Sequence, residues 1–248
     1  MKTRYTRYER DLHDICYKKG WKTEVIGYVG RRSDCPIYKL VMEAKNNKRG
    51  NTVSFVAGVH GNEVSGPLSM QDFIKQHNQE PWMPRIVIIP VANPTGFDRD
   101  IYRSEKQENI NRGYLAPVLY EERAMLLATL LKERPEYFVS FHEDDIKKTI
   151  YLYGYSERPD GSFIFRKILD EAGRYCTVDS KSIVYNHKSV RGLIFNAAHD
   201  GSLEDRMRIE GIPYVMCMEV PDHSSLAVRV KTNISVMRSV ISLSATAK

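Results

Sequence analysis

Two periods take turns along this chain. Tyr8, Leu12, Ile15 and Cys16 recur at helical spacing and Gly20 supplies a stop, which predicts a first helix from residue 4 to about 19. Strands are then predicted over Lys22 to Val29 and Ile37 to Ala44, with Asn46 to Gly50 turning into a third strand, Asn51 to Val59. The run Val53 to Val59 reads as a buried strand. Helical spacing returns from Ser65 to His77, Trp82 to Pro84 is a loop, and Arg85 to Val91 is a further apolar strand. Asn93-Pro-Thr-Gly-Phe97 reads as a turn, and Asp98 to Tyr114 as a long polar loop, a kind of segment that often carries function. Beyond it the pattern predicts a helix over Glu121 to Lys132, a strand Tyr137 to Phe141 ending at His142, and a strand Lys148 to Tyr153. A helix Phe163 to Gly173, a strand Tyr214 to Val220 and a closing helix from Ser225 to about Leu243 complete the series. Residues 176 to 203 show no clear period beyond an extended stretch from Val178 to Val184. Strands alternating with helices argue for an α/β fold in three α/β/α layers around a central mixed, twisted sheet. With no repeat or linker, residues 1–248 form one expected domain.

Composition narrows the class. Hydrophobic residues make up 42% of the 248, enough for a proper core. No run approaches the ~18 apolar residues of a membrane span, and the charged start, Met1 to Arg10, lacks the apolar segment of a secretory signal. Cys16, Cys35, Cys176 and Cys217 are spaced neither as a metal knuckle nor as a redox motif. They read as reduced thiols, Cys217 as a core residue, and the expected location is cytoplasmic. The net charge of +6 is spread along the chain, densest at Lys45-Asn-Asn-Lys-Arg-Gly50, which looks like a hairpin turn. A solvated basic surface is expected there, with no nucleic-acid and no membrane partner. The oligomeric state is left open.

The chemistry gathers at strand exits. His60 and Glu63 stand where the apolar run Val53 to Val59 gives way to a loop; Asn93-Pro94, His142 and Glu219 also follow or end apolar strands. In open α/β sheets the crevice beyond the carboxyl ends of the strands is where ligands bind. Two imidazoles and one carboxylate make a catalytic zinc set that leaves a fourth position open. Glu219 sits inside the apolar run Val215 to Pro221, where burial would raise its pKa toward the range of a general base.

These motifs, in this order, resemble the M14 zinc carboxypeptidase family, its single-domain bacterial branch in particular. The matching residues are His60-Gly-Asn-Glu63, Asn93-Pro-Thr-Gly96, Arg103, Asn109-Ile-Asn-Arg112, Ser140-Phe-His142 and Met218-Glu-Val-Pro221, and they span about two thirds of the chain. The resemblance implies one Zn²⁺ per chain held by His60, Glu63 and His142. It implies that Glu219 moves a proton from the attacking water to the leaving amine. Arg103 would polarise the scissile carbonyl, with Arg99 its rival, and Asn111 and Arg112 would hold the substrate's free carboxylate. Glu204, in a segment resembling the one ahead of the family's catalytic strand, would face the substrate's end group. With Glu143, Asp144 and Asp145 it would favour a cationic one such as Lys, Arg or diaminopimelate, as in the murein-peptide amidases.

The pattern departs from the family at two points. Asn109 stands where the family often has Asp, and no Tyr stands at the mobile-tyrosine position, where Tyr185 and His199 are the nearest substitutes. The resemblance still implies a substrate with a free carboxylate, either a peptide or an N-acyl amino acid. The alternative activities are that of an N-acyl amino acid deacylase of the succinylglutamate desuccinylase and aspartoacylase type, or mere peptide binding by a non-catalytic relative.

Overall fold

A computed structural model describes residues 3–32, 34–46, 50–119 and 121–246. The expected turn at Lys45 to Gly50 includes positions 47–49, which lie outside the described residues.

Helix α1 (Arg4–Lys19) is opened by the Thr3 side chain, which accepts from the Thr6 amide, and closed by Gly20 in the left-handed conformation. The strands are β1 (Lys22–Val29), β2 (Cys35–Met42), β3 (Thr52–Ala57), β4 (Arg85–Ile89), β5 (Tyr137–Asp144), β6 (Tyr151–Tyr155), β7 (Ile183–Val184), β8 (His187–Lys188), β9 (Leu193–Phe195) and β10 (Tyr214–Pro221). The remaining helices are α2 (Ser65–Gln76), α3 (Pro94–Arg99), α4 (Glu121–Glu133), α5 (Gly161–Ala172), α6 (Leu203–Ile209) and α7 (Leu226–Thr246). Eight strands form one mixed sheet in the order β1-β2-β4-β3-β5-β10-β6-β9, and β7 and β8 pair as a separate ribbon. The four central strands β4, β3, β5 and β10 run parallel.

Both faces of the centre are covered, so the strands are buried on both sides. On one face Val53, Phe55 and Ala57 of β3, Val139 and Phe141 of β5, and Met216 and Met218 of β10 pack against α1, α2, α5 and α7. On the other, Val56, Phe138 and Val215 pack with Leu126, Leu127 and Leu130 of α4 and with Leu203 and Met207 of α6. Toward the carboxyl ends of β5 and β10 this second face turns polar. Ser140 and His142 continue the Phe138 row, while Cys217 and Glu219 continue the Val215 row, and the register sets His142 beside Glu219.

The strand order reverses between β3 and β5, since β3 is followed by β4 on one side and by β5 on the other. Such a switch point opens a crevice for a ligand. It lies where His60 leaves β3.

Several elements differ from the sequence pattern. β5 runs on to Asp144 instead of ending at His142, because β10 pairs with it as far as Pro221↔Asp144. β6 is shifted to Tyr151–Tyr155 by its pairing with Val215 to Glu219. Asn93 to Phe97, expected as a turn, opens α3: the Asn93 side chain accepts from the Gly96 amide and Pro94 sits in the first turn. α6 and β9 were not foreseen. Ser202 caps α6 by accepting from the Asp205 amide, with Glu204 and Asp205 in its first turn and Arg206 and Arg208 in its last.

Candidate metal centre and catalytic cavity

Close backbone approach shapes the loop that carries His60 and Glu63. Gly58 has a φ of 59°, and its carbonyl accepts from the Asn93 amide at 2.8 Å. Gly61 lies against α3 so tightly that a Cβ would come 2.0 Å from the Gly96 carbonyl carbon. Asn93-Pro-Thr-Gly96 is therefore a wall against which the loop is pressed. Glu143 receives the Ser65 amide at the start of α2 and pairs with Arg229, which fixes the far side of the loop.

The loop sets three donors face to face. His60 Nδ1 is 2.7 Å from Glu63 Oε1, His142 Nδ1 is 3.0 Å from Glu63 Oε2, and the two Nδ1 atoms are 3.3 Å apart. All three side chains are buried. Two nitrogens at bond lengths of about 2.0–2.1 Å around a tetrahedral zinc stand roughly 3.3 Å apart, so the donor set fits this ion. Behind the pair, His60 Nε2 meets Asn109 Oδ1 at 3.2 Å, and His142 Nε2 meets Glu204 Oε1 at 3.5 Å. Tyr102 stacks on the His60 ring with centroids 3.7 Å apart.

A cavity of about 480 Å³ opens over these residues. Glu219 projects into it from β10, next to His142, and keeps partial exposure. Arg112 lines the wall, half-exposed, with Nη1 on the Asn111 carbonyl at 2.7 Å and Nη2 3.4 Å from Asp200 Oδ2. On the opposite wall β6 presents Tyr151, Tyr153 and Tyr155, and the ribbon adds Tyr185 and His187. Tyr-x-Tyr-x-Tyr is a period-two stripe, a signal legible in the sequence.

Charges are shared tightly. Burial alone would raise the Glu63 carboxyl, but the His142 and His60 imidazoles reverse this and leave it below its ordinary value. Burial alone would keep His142 neutral, but Glu63 and Glu204 on its two sides hold it protonated well above its ordinary value. Burial opposes ionisation of Glu204, and His142 overrides it, setting the carboxyl at about 2. Glu219 lacks such close compensation: burial pushes it up to about 8 against the pull of His142.

The Asn111 side chain is buried and engaged by Glu204 and by the Leu203 amide, at 3.2 and 3.0 Å, so it braces the wall. Arg103 and Arg99 do not line the cavity: Arg103 donates to the Gln107 carbonyl at 3.0 Å and Arg99 pairs with Glu105 at 2.5 Å. The chain turns so that Tyr102 faces His60 and Arg103 faces solvent. This placement departs from a carbonyl-polarising role for either arginine. Of the acids expected to favour a cationic end group, Glu204 is held by His142 and Asn111, and Glu143 by Arg229 and Ser65. Asp144 accepts from Tyr151, Tyr185 and the amides of Ile146 and Lys147, which leaves exposed Asp145. Of the two candidates for the mobile tyrosine's place, Tyr185 lines the cavity, while His199 lies off it, paired with Asp205 at 2.5 Å.

Among the described residues no helix is long and apolar enough to cross a membrane.

Comparisons with known proteins agree with this geometry. Residues 49–170, just under half of the chain, match the family model of the succinylglutamate desuccinylase/aspartoacylase catalytic domain. A search of curated proteins found no sequence match. Among solved structures, a protein from Shewanella amazonensis provisionally called a metallopeptidase superposes with a TM-score of 0.85 at 24% identity, over 97% of this chain and 93% of that one. A metallo-carboxypeptidase from Pseudomonas aeruginosa, solved with (2-guanidinoethylmercapto)succinic acid, gives 0.75 at 14% identity, over 98% and 69%. One from Burkholderia cenocepacia gives 0.72 at 12%, over 95% and 68%. Identities this low speak for the fold, which is that of the zinc carboxypeptidases. The donor triad and the matched segment are thus both found on a fold similar to that of the metallo-carboxypeptidases. The matched segment is similar to the succinylglutamate desuccinylase/aspartoacylase catalytic domain over those residues alone.

Proposed function

We propose that this chain hydrolyses an amide bond next to a free carboxylate, as a metallocarboxypeptidase or amidase acting on a peptide, with one zinc ion held by His60, Glu63 and His142. The observation that carries this reading is the meeting of two imidazole Nδ1 atoms on the two oxygens of one buried carboxylate, 2.7 and 3.0 Å away, with Glu219 in register beside them. When bound, zinc would polarise the scissile carbonyl and make a water molecule more acidic.

The protein's own groups do the rest. Glu219, once ionised, can take a proton from the attacking water and return it to the leaving nitrogen; with its carboxyl raised to about 8, turnover should climb as pH rises toward that value. Arg112 offers a planar fork to the substrate carboxylate, and Asn111 holds the backbone behind it. The tyrosines of β6 wall off the body of the substrate. Asp145 is the acid left for a cationic end group, so a strict requirement for one is not part of the proposal.

A second reading, hydrolysis of N-acyl amino acids, is favoured by the match to the desuccinylase and aspartoacylase domain. The two reactions differ in what lies on the acyl side of the bond. Zinc-loaded protein should be assayed on peptides ending in Lys, Arg, Phe or diaminopimelate, and on N-acetyl and N-succinyl amino acids, with Glu219→Gln as control. Turnover of peptides alone supports the first reading, and turnover of acyl amino acids alone replaces it with the second. No turnover of either by zinc-loaded protein refutes both.

A further inference from the structure

An imidazole that binds a metal through one ring nitrogen is oriented by whatever holds the other, and that partner also sets how strongly the ring donates. The two imidazoles here are held unequally. His60 Nε2 faces a neutral amide, Asn109 Oδ1, at 3.2 Å. His142 Nε2 faces a carboxylate oxygen, Glu204 Oε1, at 3.5 Å, with Asn111 Nδ2, itself bonded to the same carboxylate, 3.4 Å away.

Glu204 is 2% exposed. Its Oε2 accepts from Asn111 Nδ2 at 3.2 Å, while Oε1 is fully buried and has no hydrogen-bond partner of its own among the described residues. A buried carboxylate needs a compensating charge. His142 Nε2 stands opposite Oε1, and a zinc ion bound at Nδ1 of the same ring would supply that charge. The placement is rigid: Glu204 lies in the first turn of α6, which Ser202 caps and Asp205 anchors through the amides of Asp200 and Gly201. It follows that the acid expected to read the substrate's end group is already committed inside the protein.

We propose that Glu204 is a positioning residue of the metal centre. It fixes His142 through Nε2 and supplies the negative charge that the neutral amide of Asn109 does not supply to His60. This rests on the metal-binding reading above. It assigns Glu204 no part in choosing the substrate's end group.

The test is the zinc dissociation constant, measured by chelator competition, for the parent chain, Glu204→Gln and the double variant Glu204→Gln/Asn109→Asp. Glu204→Gln should weaken zinc about 10–100-fold with an unchanged circular dichroism spectrum. The double variant should recover most of that loss, because a carboxylate then faces the other imidazole, and a purely structural role for Glu204 would give no such recovery. The parent also decides the matter without substitution. In its zinc-loaded form, imidazole NMR should show the His142 proton on Nε2 and slow to exchange, and a rapidly exchanging or absent Nε2 proton overturns the proposal even if Glu204→Gln does not fold.

Three further results would overturn it. One is unchanged zinc affinity in Glu204→Gln. Another is a shift in end-group preference at constant zinc affinity. The third is two zinc ions per parent chain, since His142, Glu204 and Cys217 have ligand atoms within 4.8 Å of one another and could take a second ion themselves. A parent that binds no zinc refutes the metal reading as well, whereas a zinc-binding parent with an unaffected variant refutes this inference alone.

Discussion

Glu219→Gln separates catalytic need from stability. Burial pushes the Glu219 carboxyl from its ordinary 4.5 up to about 8 in the folded chain. Between those values the unfolded chain is ionised at this position while the folded chain keeps its proton, so the folded state binds more protons. Stability must then fall as pH rises from about 4.5 to 8 and level off above. A shift of this size corresponds to at most about 5 kcal/mol. Glu219 keeps partial exposure to the cavity, which screens some of that, so an expected gain of ~2–5 kcal/mol at pH 8 is reasonable for the neutral glutamine. In a chain of this length the gain raises the melting temperature by roughly 5–15 °C. Metal-free parent and variant would be unfolded by denaturant and by heat at pH 5, 6.5 and 8. The two should be alike at pH 5 and diverge steadily above it, with the variant more stable. The same variant, loaded with zinc, should bind the ion and turn over no substrate. Equal stability at pH 8, or residual turnover above about 1% of the parent's, a hundredfold loss being the least expected of a missing general base, would refute the account of Glu219.

Other perturbations test other parts. His60→Ala removes one of three donors and should abolish zinc retention on dialysis; full occupancy afterwards would exclude His60 as a ligand. Arg112→Lys keeps the charge but loses the fork, at about 1.5–3 kcal/mol, so KM for carboxylate substrates should rise roughly 10–100-fold with kcat little changed. An unchanged KM would remove Arg112 from substrate binding. Gly61→Ala would drive a Cβ into the Gly96 backbone. It should cost about 1–3 kcal/mol and loosen zinc together with the loop that carries His60 and Glu63. A variant as stable as the parent would show that this close contact has slack.

What the sequence disclosed, and what it hid, has a common physical origin. Strong periods survive reading one stretch at a time: α1, β3, α2 and α7 lie close to where Leu12, Phe55, Phe73 and Met237 imply. The three donors are also conspicuous, because imidazoles and a carboxylate at the ends of apolar strands have few other uses. Short elements held by caps are less visible. Asn93-Pro94 and Ser202 to Asp205 both carry helix-opening chemistry, yet each helix spans only 6 or 7 residues, too few for a period to show. Orientation was least accessible. Whether Tyr102 or Arg103 faces the cavity depends on the path of an irregular loop, and whether Glu204 faces substrate or His142 depends on how α6 docks against β5 and β10. Both are properties of tertiary packing that no local spacing encodes.

The position of β10 has a consequence for how the protein comes into being. This late strand slots between β5 and β6, both of which are synthesised well before it. Until it arrives, a growing chain already contains His60, Glu63 and His142 but not Glu219. Under the proposed mechanism hydrolytic power would be the last property the polypeptide acquires, and premature termination anywhere before residue 219 would yield a product that could at most sequester an ion and cut nothing.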